Sequence, residues 1–218
     1  MIKNYIYITN SEWFEISNLK NPICLLDHNL ENIYPEFYTT NYDLKILATK
    51  APTKEEKNFP SYNDYRERYG VSDITVIDSA VASSSAKNIF LNGFNQEQFN
   101  YISTLIKETA EIIYLFKCTK ISDLSALSEF KKLKGIFIFA NNNLESLWDM
   151  RNNYDLKVIS FIHITKLQNI EPLTESNIEY VSFDSSDNYG NKKEMLFDQS
   201  IFEKMPNLKH LFLTYRDK

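Results

Sequence analysis

The chain has 218 residues, 24 Lys and Arg against 29 Asp and Glu, and a net charge of −5. Its 43% apolar and 24% charged content suits a folded protein with a sizeable core and excludes a disordered or collagen-like chain. The acidic balance argues against a phosphate backbone as partner, which calls for clustered Lys and Arg, and favours a basic protein instead.

The first segment, MIKNYIYITNSEWFEI, turns polar before an apolar run of secretory length forms. With no membrane span and no N-x-S/T sequon, the expected location is cytoplasmic. The alternating KNYIYIT and the short apolar runs NPICLLD and DLKILAT, bounded by Pro, Asn and Asp, read as strands. Between them SEWFEISNL opens on Ser11 and reads as a short helix. The polar stretch APTKEEKNFPSYNDYRERYG, with two prolines and a closing Gly70, reads as a linker. Residues 1–70 are therefore expected to form an α+β cap and residues 71–218 a second unit. Cys24 and Cys118 lie far apart and outside any metal-binding spacing, so both read as reduced thiols.

From Val71 onward apolar pairs two residues apart recur: Ile74/Val76, Ile89/Leu91, Ile113/Leu115, Ile136/Ile138, Ile159/Phe161, Val181/Phe183 and Leu211/Leu213. The anchors Ala110, Leu133 and Leu156 stand 23 residues apart. A period in this range, with apolar residues at fixed offsets, marks one supersecondary unit stacked on itself. The return after Leu91 holds Phe99, Ile102, Leu105 and Ile106 at helical spacing. Later returns place apolar residues three apart (Ile121/Leu124/Leu127, Leu144/Leu147/Met150, Leu167/Ile170/Leu173), which suits short helices or 3₁₀ turns. The polar insertion SSDNYGNKKE reads as a loop.

This pattern resembles the leucine-rich repeat, L-x-x-L-x-L-x-x-N-x-x-L-x-x-L, which LKGIFIFANNNLESL matches at Leu133, Ile136, Ile138, Asn141, Leu144 and Leu147. The closing MPNLKHLFL is also a phrase of that family, and the resemblance spans about residues 86–218. It implies an α/β solenoid with a parallel sheet on the concave face and helices or 3₁₀ turns on the convex face. One departure is plain: Phe94, Cys118, Ile164 and Ser186 stand where the family carries asparagine.

Motifs for chemistry are missing from the sequence. The four glycines form no phosphate loop, and neither H-E-x-x-H nor G-x-S-x-G occurs. His163 and His210 fall on the same expected sheet surface but make no metal set, and Asp184 to Glu194 lacks calcium-loop spacing. No cofactor is expected. The clusters Lys131/Lys132/Lys134 and Lys192/Lys193 read as solvated junctions between units.

The functional expectation rests on strand alternation. If the recurring pairs face the core, their neighbours face the other way, and there Phe90, Tyr114, Phe116, Phe137, Phe139, Ile162, Tyr180 and Phe212 form an aromatic patch across adjacent strands. A large exposed apolar patch marks a protein-binding site. Burial of the patch under the N-terminal segment, or a homodimer contact, are the competing explanations. In overall character the chain is similar to bacterial immunity proteins, which implies occlusion of a cognate toxin, a basic nuclease included. An adaptor, regulatory subunit or effector using the same face is the alternative. An enzyme built on Trp13, Asp27 and His28 in the N-terminal segment is the third.

Overall fold

A computed structural model of the chain describes residues 5–8, 12–15, 33–34, 44–47, 85–187 and 191–216. β1 (Tyr5–Ile8) and β2 (Glu12–Glu15) form an antiparallel pair with Tyr7 opposite Trp13 and Ile6 opposite Phe14. The helix expected from Ser11 is thus a strand at Glu12–Glu15. Trp13 and Phe14 are β-formers, and the short connection from Ile8 sets them across from Tyr7 and Ile6. The NPICLLD run, the linker at 51–70 and the Ile74/Val76 pair lie outside the described residues.

The main sheet is entirely parallel. β3 (Leu44–Leu47) stands at one edge, followed by β4 (Asn88–Asn92), β5 (Ile112–Phe116), β6 (Gly135–Phe139), β7 (Val158–Ile162), β8 (Tyr180–Asp184) and β9 (His210–Thr214). The chain is therefore α/β, with six strands from β4 to β9 supplied in sequence order. β3 comes from the segment expected to be a separate cap, yet it pairs with β4 through Leu44↔Ile89 and Ile46↔Leu91.

The 23-residue step becomes lateral register. Ile89, Ile113, Ile136, Ile159, Val181 and Leu211 are consecutive partners across the sheet, as are Leu91, Leu115, Ile138, Phe161, Phe183 and Leu213. A one-residue slip would turn each pair to the opposite face, so the apolar pairs themselves enforce this alignment although their spacing varies from 22 to 30 residues. From β4 to β8 these side chains pack into one apolar cluster with the returns, including Phe99, Leu127, Leu147, Leu173 and Phe202; on β9 Leu213 is partly buried against it and Leu211 is exposed.

The first return is α1 (Gln96–Ile106), capped by a reciprocal pair of bonds: Gln98 N–H donates to Asn95 Oδ1 at 2.9 Å and Asn95 N–H to Gln98 Oε1 at 3.0 Å. Its buried face is Phe99, Ile102, Ser103 and Ile106, the i, i+3, i+4, i+7 stripe, whereas Leu105 lies off it and is 38% exposed. Leu105 was expected among the packed residues. The later returns include 3₁₀ turns at Ser125–Glu129, Glu171–Glu175 and Gln199–Lys204. In the return from Leu144 to Met150 no helix forms. That unit is tied by Asn153, whose Nδ2 donates to Leu127 O at 2.8 Å and Phe130 O at 2.9 Å while its Oδ1 accepts from Trp148 Nε1 at 2.8 Å.

Each of β4 to β7 ends on a left-handed residue that swings the chain off the sheet: Gly93 (φ 72°), Lys117 (50°), Ala140 (57°) and His163 (57°). Only at the first is the residue glycine; at the others the conformation costs about 1 kcal/mol or more. The sheet ladder holds them, since Gly93, Lys117 and Ala140 donate their N–H groups to Phe116, Phe139 and Ile162 carbonyls at 2.8–3.0 Å. Two residues beyond β6, Asn141 is buried and donates to Ile121 O at 2.8 Å. Cys118, one unit earlier, is also buried, and desolvation raises its thiol pKa to about 12, so it remains an inert thiol.

Candidate interaction site

The second sheet face carries the candidate residues in straight rows. Phe90, Tyr114 and Phe137 are direct neighbours on β4, β5 and β6, and Phe116 and Phe139 are neighbours at the ends of β5 and β6. Parallel register brings like positions within a ring's width, so the aromatics contact one another. Phe116 and Phe139 stack at 4.8 Å with an interplanar angle of 8°, Phe90 lies 5.0 Å from Tyr114, and Phe139 meets His163 edge-on at 4.9 Å. Tyr180 and Phe212 form a second pair at 5.4 Å on β8 and β9.

The rings cluster as expected, but the face is not open. Phe90, Tyr114, Phe116, Phe137, Ile162 and Tyr180 are all buried, with Phe116 only 4% exposed, and of the eight candidates Phe139 and Phe212 alone are half-buried. The expectation of an exposed patch is corrected on this point. The polar residues in the same rows, Asn92, Ser160 and Ser182, are buried too. A signal for this lay in the strands: IIYLF, GIFIF and VISFI are near-continuous apolar runs, the composition of parallel strands covered on both sides.

One described residue of the N-terminal segment lies on this face. Tyr34 packs edge-on against Tyr180 at 5.9 Å and His210 at 6.2 Å, and its hydroxyl donates to Glu179 Oε2 at 2.9 Å. His163 and His210 do not come together: His163 follows the end of β7 and its Nδ1 sits 3.0 Å from Ser186 Oγ, while His210 opens β9 beside Tyr34. Asp187 is taken up by Asn191 and by Lys193 at 3.1 Å. Among the described residues there is no group of three or more metal-ligating side chains and no helix long and apolar enough to cross a membrane. Asp27 and His28 lie outside the described residues, and of Trp13 only the backbone is described.

A feature not anticipated from the sequence runs along the start of the strands. The residue before each strand from β4 to β9 is charged: Lys87, Glu111, Lys134, Lys157, Glu179, Lys209. In register they form two triplets. Glu111 bridges Lys87 at 2.7 Å and Lys134 at 2.5 Å, and Glu179 bridges Lys157 at 2.7 Å and Lys209 at 2.6 Å. Lysine hydrogen bonds hold the Glu179 carboxyl down at about 2, with a further contribution from Tyr34, and lower Glu111 likewise. Reading the position two residues before each apolar pair would have found this ladder; its order becomes meaningful only once the strands are known to be parallel and adjacent.

Against protein-family models, curated proteins and solved structures alike, the chain finds no match.

Proposed function

We propose that the chain is a leucine-rich-repeat solenoid, with the sheet on its concave side, that acts without chemistry of its own by binding another protein. Its most concrete role is that of an immunity protein that binds and occludes a cognate bacterial toxin. The observation that carries this reading is the in-register march of β4 to β9 with aromatic rows crossing from strand to strand. Stacked units of this kind present side chains at regular lateral intervals, a geometry suited to gripping a protein surface. Because most of the aromatic face is covered, the partner meets its reachable margins: Phe139 beside His163 at one end of the strands, and the half-buried Phe212 on the last strand. The net charge of −5 favours a basic toxin and speeds its association.

The test is rescue of growth. Co-expression with a candidate toxin gene, sought upstream of its own, should protect cells. Phe139→Ala combined with Phe212→Ala should keep the circular dichroism spectrum yet abolish protection. Full protection by a folded double variant would remove these margins from the interface, and no protection by the wild-type chain would remove the immunity role.

A further inference from the structure

The charge ladder at the start of the strands contains a fault. Between neighbouring lysines elsewhere in it stands a glutamate, but Lys134 and Lys157 are direct neighbours: β6 and β7 pair Gly135 with Val158, and Lys157 N–H donates to Lys134 O at 2.9 Å. Adjacent strands lie about 4.8 Å apart. The two ammonium groups turn away from each other, Lys134 to Glu111 and Lys157 to Glu179. Among the described residues each has that single carboxylate partner, so of the three N–H donors on each ammonium at least one stays available. Both side chains are substantially exposed, 49% and 43%. Lys131 and Lys132 precede Lys134 in the same turn and are exposed, as is Tyr154 in the next unit at 63%. Asp155 is exposed in that neighbouring turn and makes no ion pair with either lysine.

We propose that the seam between Lys134 and Lys157 is a docking point for an acidic segment of a partner protein, one carboxylate of which takes the position that Glu111 and Glu179 hold in the two flanking triplets. The ladder itself supplies the argument for the occupant. A carboxylate bridging lysines on neighbouring strands occurs twice in this structure, and the seam offers the same pair of donors to a third. Four lysines against two glutamates leave the ladder positive on a chain that is negative overall, so the attraction is local. That overall charge also disfavours a nucleic acid, whose many phosphates would meet the acidic remainder of the surface. This inference stands on the ladder and not on the toxin reading.

Fluorescence anisotropy with a labelled decaglutamate peptide at low salt tests it. The wild-type chain should bind, and binding should weaken as salt is raised toward 0.15 M. Lys134→Gln with Lys157→Gln should weaken binding at least about ten-fold, the scale of losing a charge pair at an interface, whereas Lys134→Arg with Lys157→Arg should retain it. Removing two exposed lysines elsewhere, Lys166→Gln with Lys192→Gln, should change it less than about two-fold. Equal losses in the two glutamine variants, no binding by the wild-type chain, or tighter binding of a labelled ten-nucleotide single strand than of the peptide would each overturn the proposal. None of these outcomes bears on growth rescue, so the two readings fail separately.

Discussion

Truncating Phe116 to alanine decides whether the aromatic face is covered in solution as it is in the structure. The ring is 4% exposed, stacked on Phe139 at 4.8 Å and within 6.0 Å of Phe90. Replacing a fully buried phenylalanine by alanine costs about 3–5 kcal/mol, through lost transfer energy and the cavity left behind. On an uncovered face the ring would keep only its lateral neighbours, whose stacking is worth about 0.5–1.5 kcal/mol a pair, and the cost would stay near 1–2 kcal/mol. Phe212, half-buried on the last strand, supplies the internal comparison, and its truncation should cost about 1–2 kcal/mol. Urea unfolding followed by circular dichroism measures both, with the midpoint falling and the slope unchanged for each variant. A Phe116→Ala loss below about 1.5 kcal/mol, or one equal to that of Phe212→Ala, would refute the covered face and restore it as an open binding surface.

Two further outcomes follow from buried polar groups. Asn153→Leu removes three hydrogen bonds, strands the Trp148 indole N–H and leaves the Leu127 and Phe130 carbonyls with only their backbone donors, so stability should fall by about 2–4 kcal/mol, with a shift in Trp148 fluorescence; a loss under 1 kcal/mol would show that the unit repacks around the change. Glu179 has a depressed pKa in the folded chain, so its contribution is present above its unfolded value near 4.5 and is lost as the pH falls toward about 2. Glu179→Gln should therefore flatten the acid limb of the stability curve between those values, and an unchanged acid limb would remove Glu179 from the linkage.

Much of the sheet was legible before any coordinates. The pairs from Ile89/Leu91 to Leu211/Leu213 carry strand position and lateral order together, because recurring units stack in sequence order and only one alternation keeps each apolar pair on the same face. The helical spacing of Phe99, Ile102 and Ile106 similarly marks α1, a local signal needing no tertiary partner. Other assignments depended on what each segment meets. Glu12–Glu15 has a helix-like opening but becomes a strand against Tyr5–Ile8, and Leu44–Leu47 joins the main sheet from a segment that reads as separate.

The candidate face divides along the same line. Alternation by itself determined that Phe90, Tyr114, Phe116, Phe137 and Phe139 lie together on one side of the sheet, since successive strand residues point to opposite faces. Whether that side meets solvent was decided only by the tertiary structure, which buries most of it and sets Tyr34 against Tyr180 and His210. Periodicity records which residues share a face, but an apolar face looks the same in sequence whether a partner or the chain itself covers it. The ladder from Lys87 to Lys209 has the same character: six charges, each at least 22 residues from the next, become two bridged triplets and a seam only when parallel pairing brings them side by side.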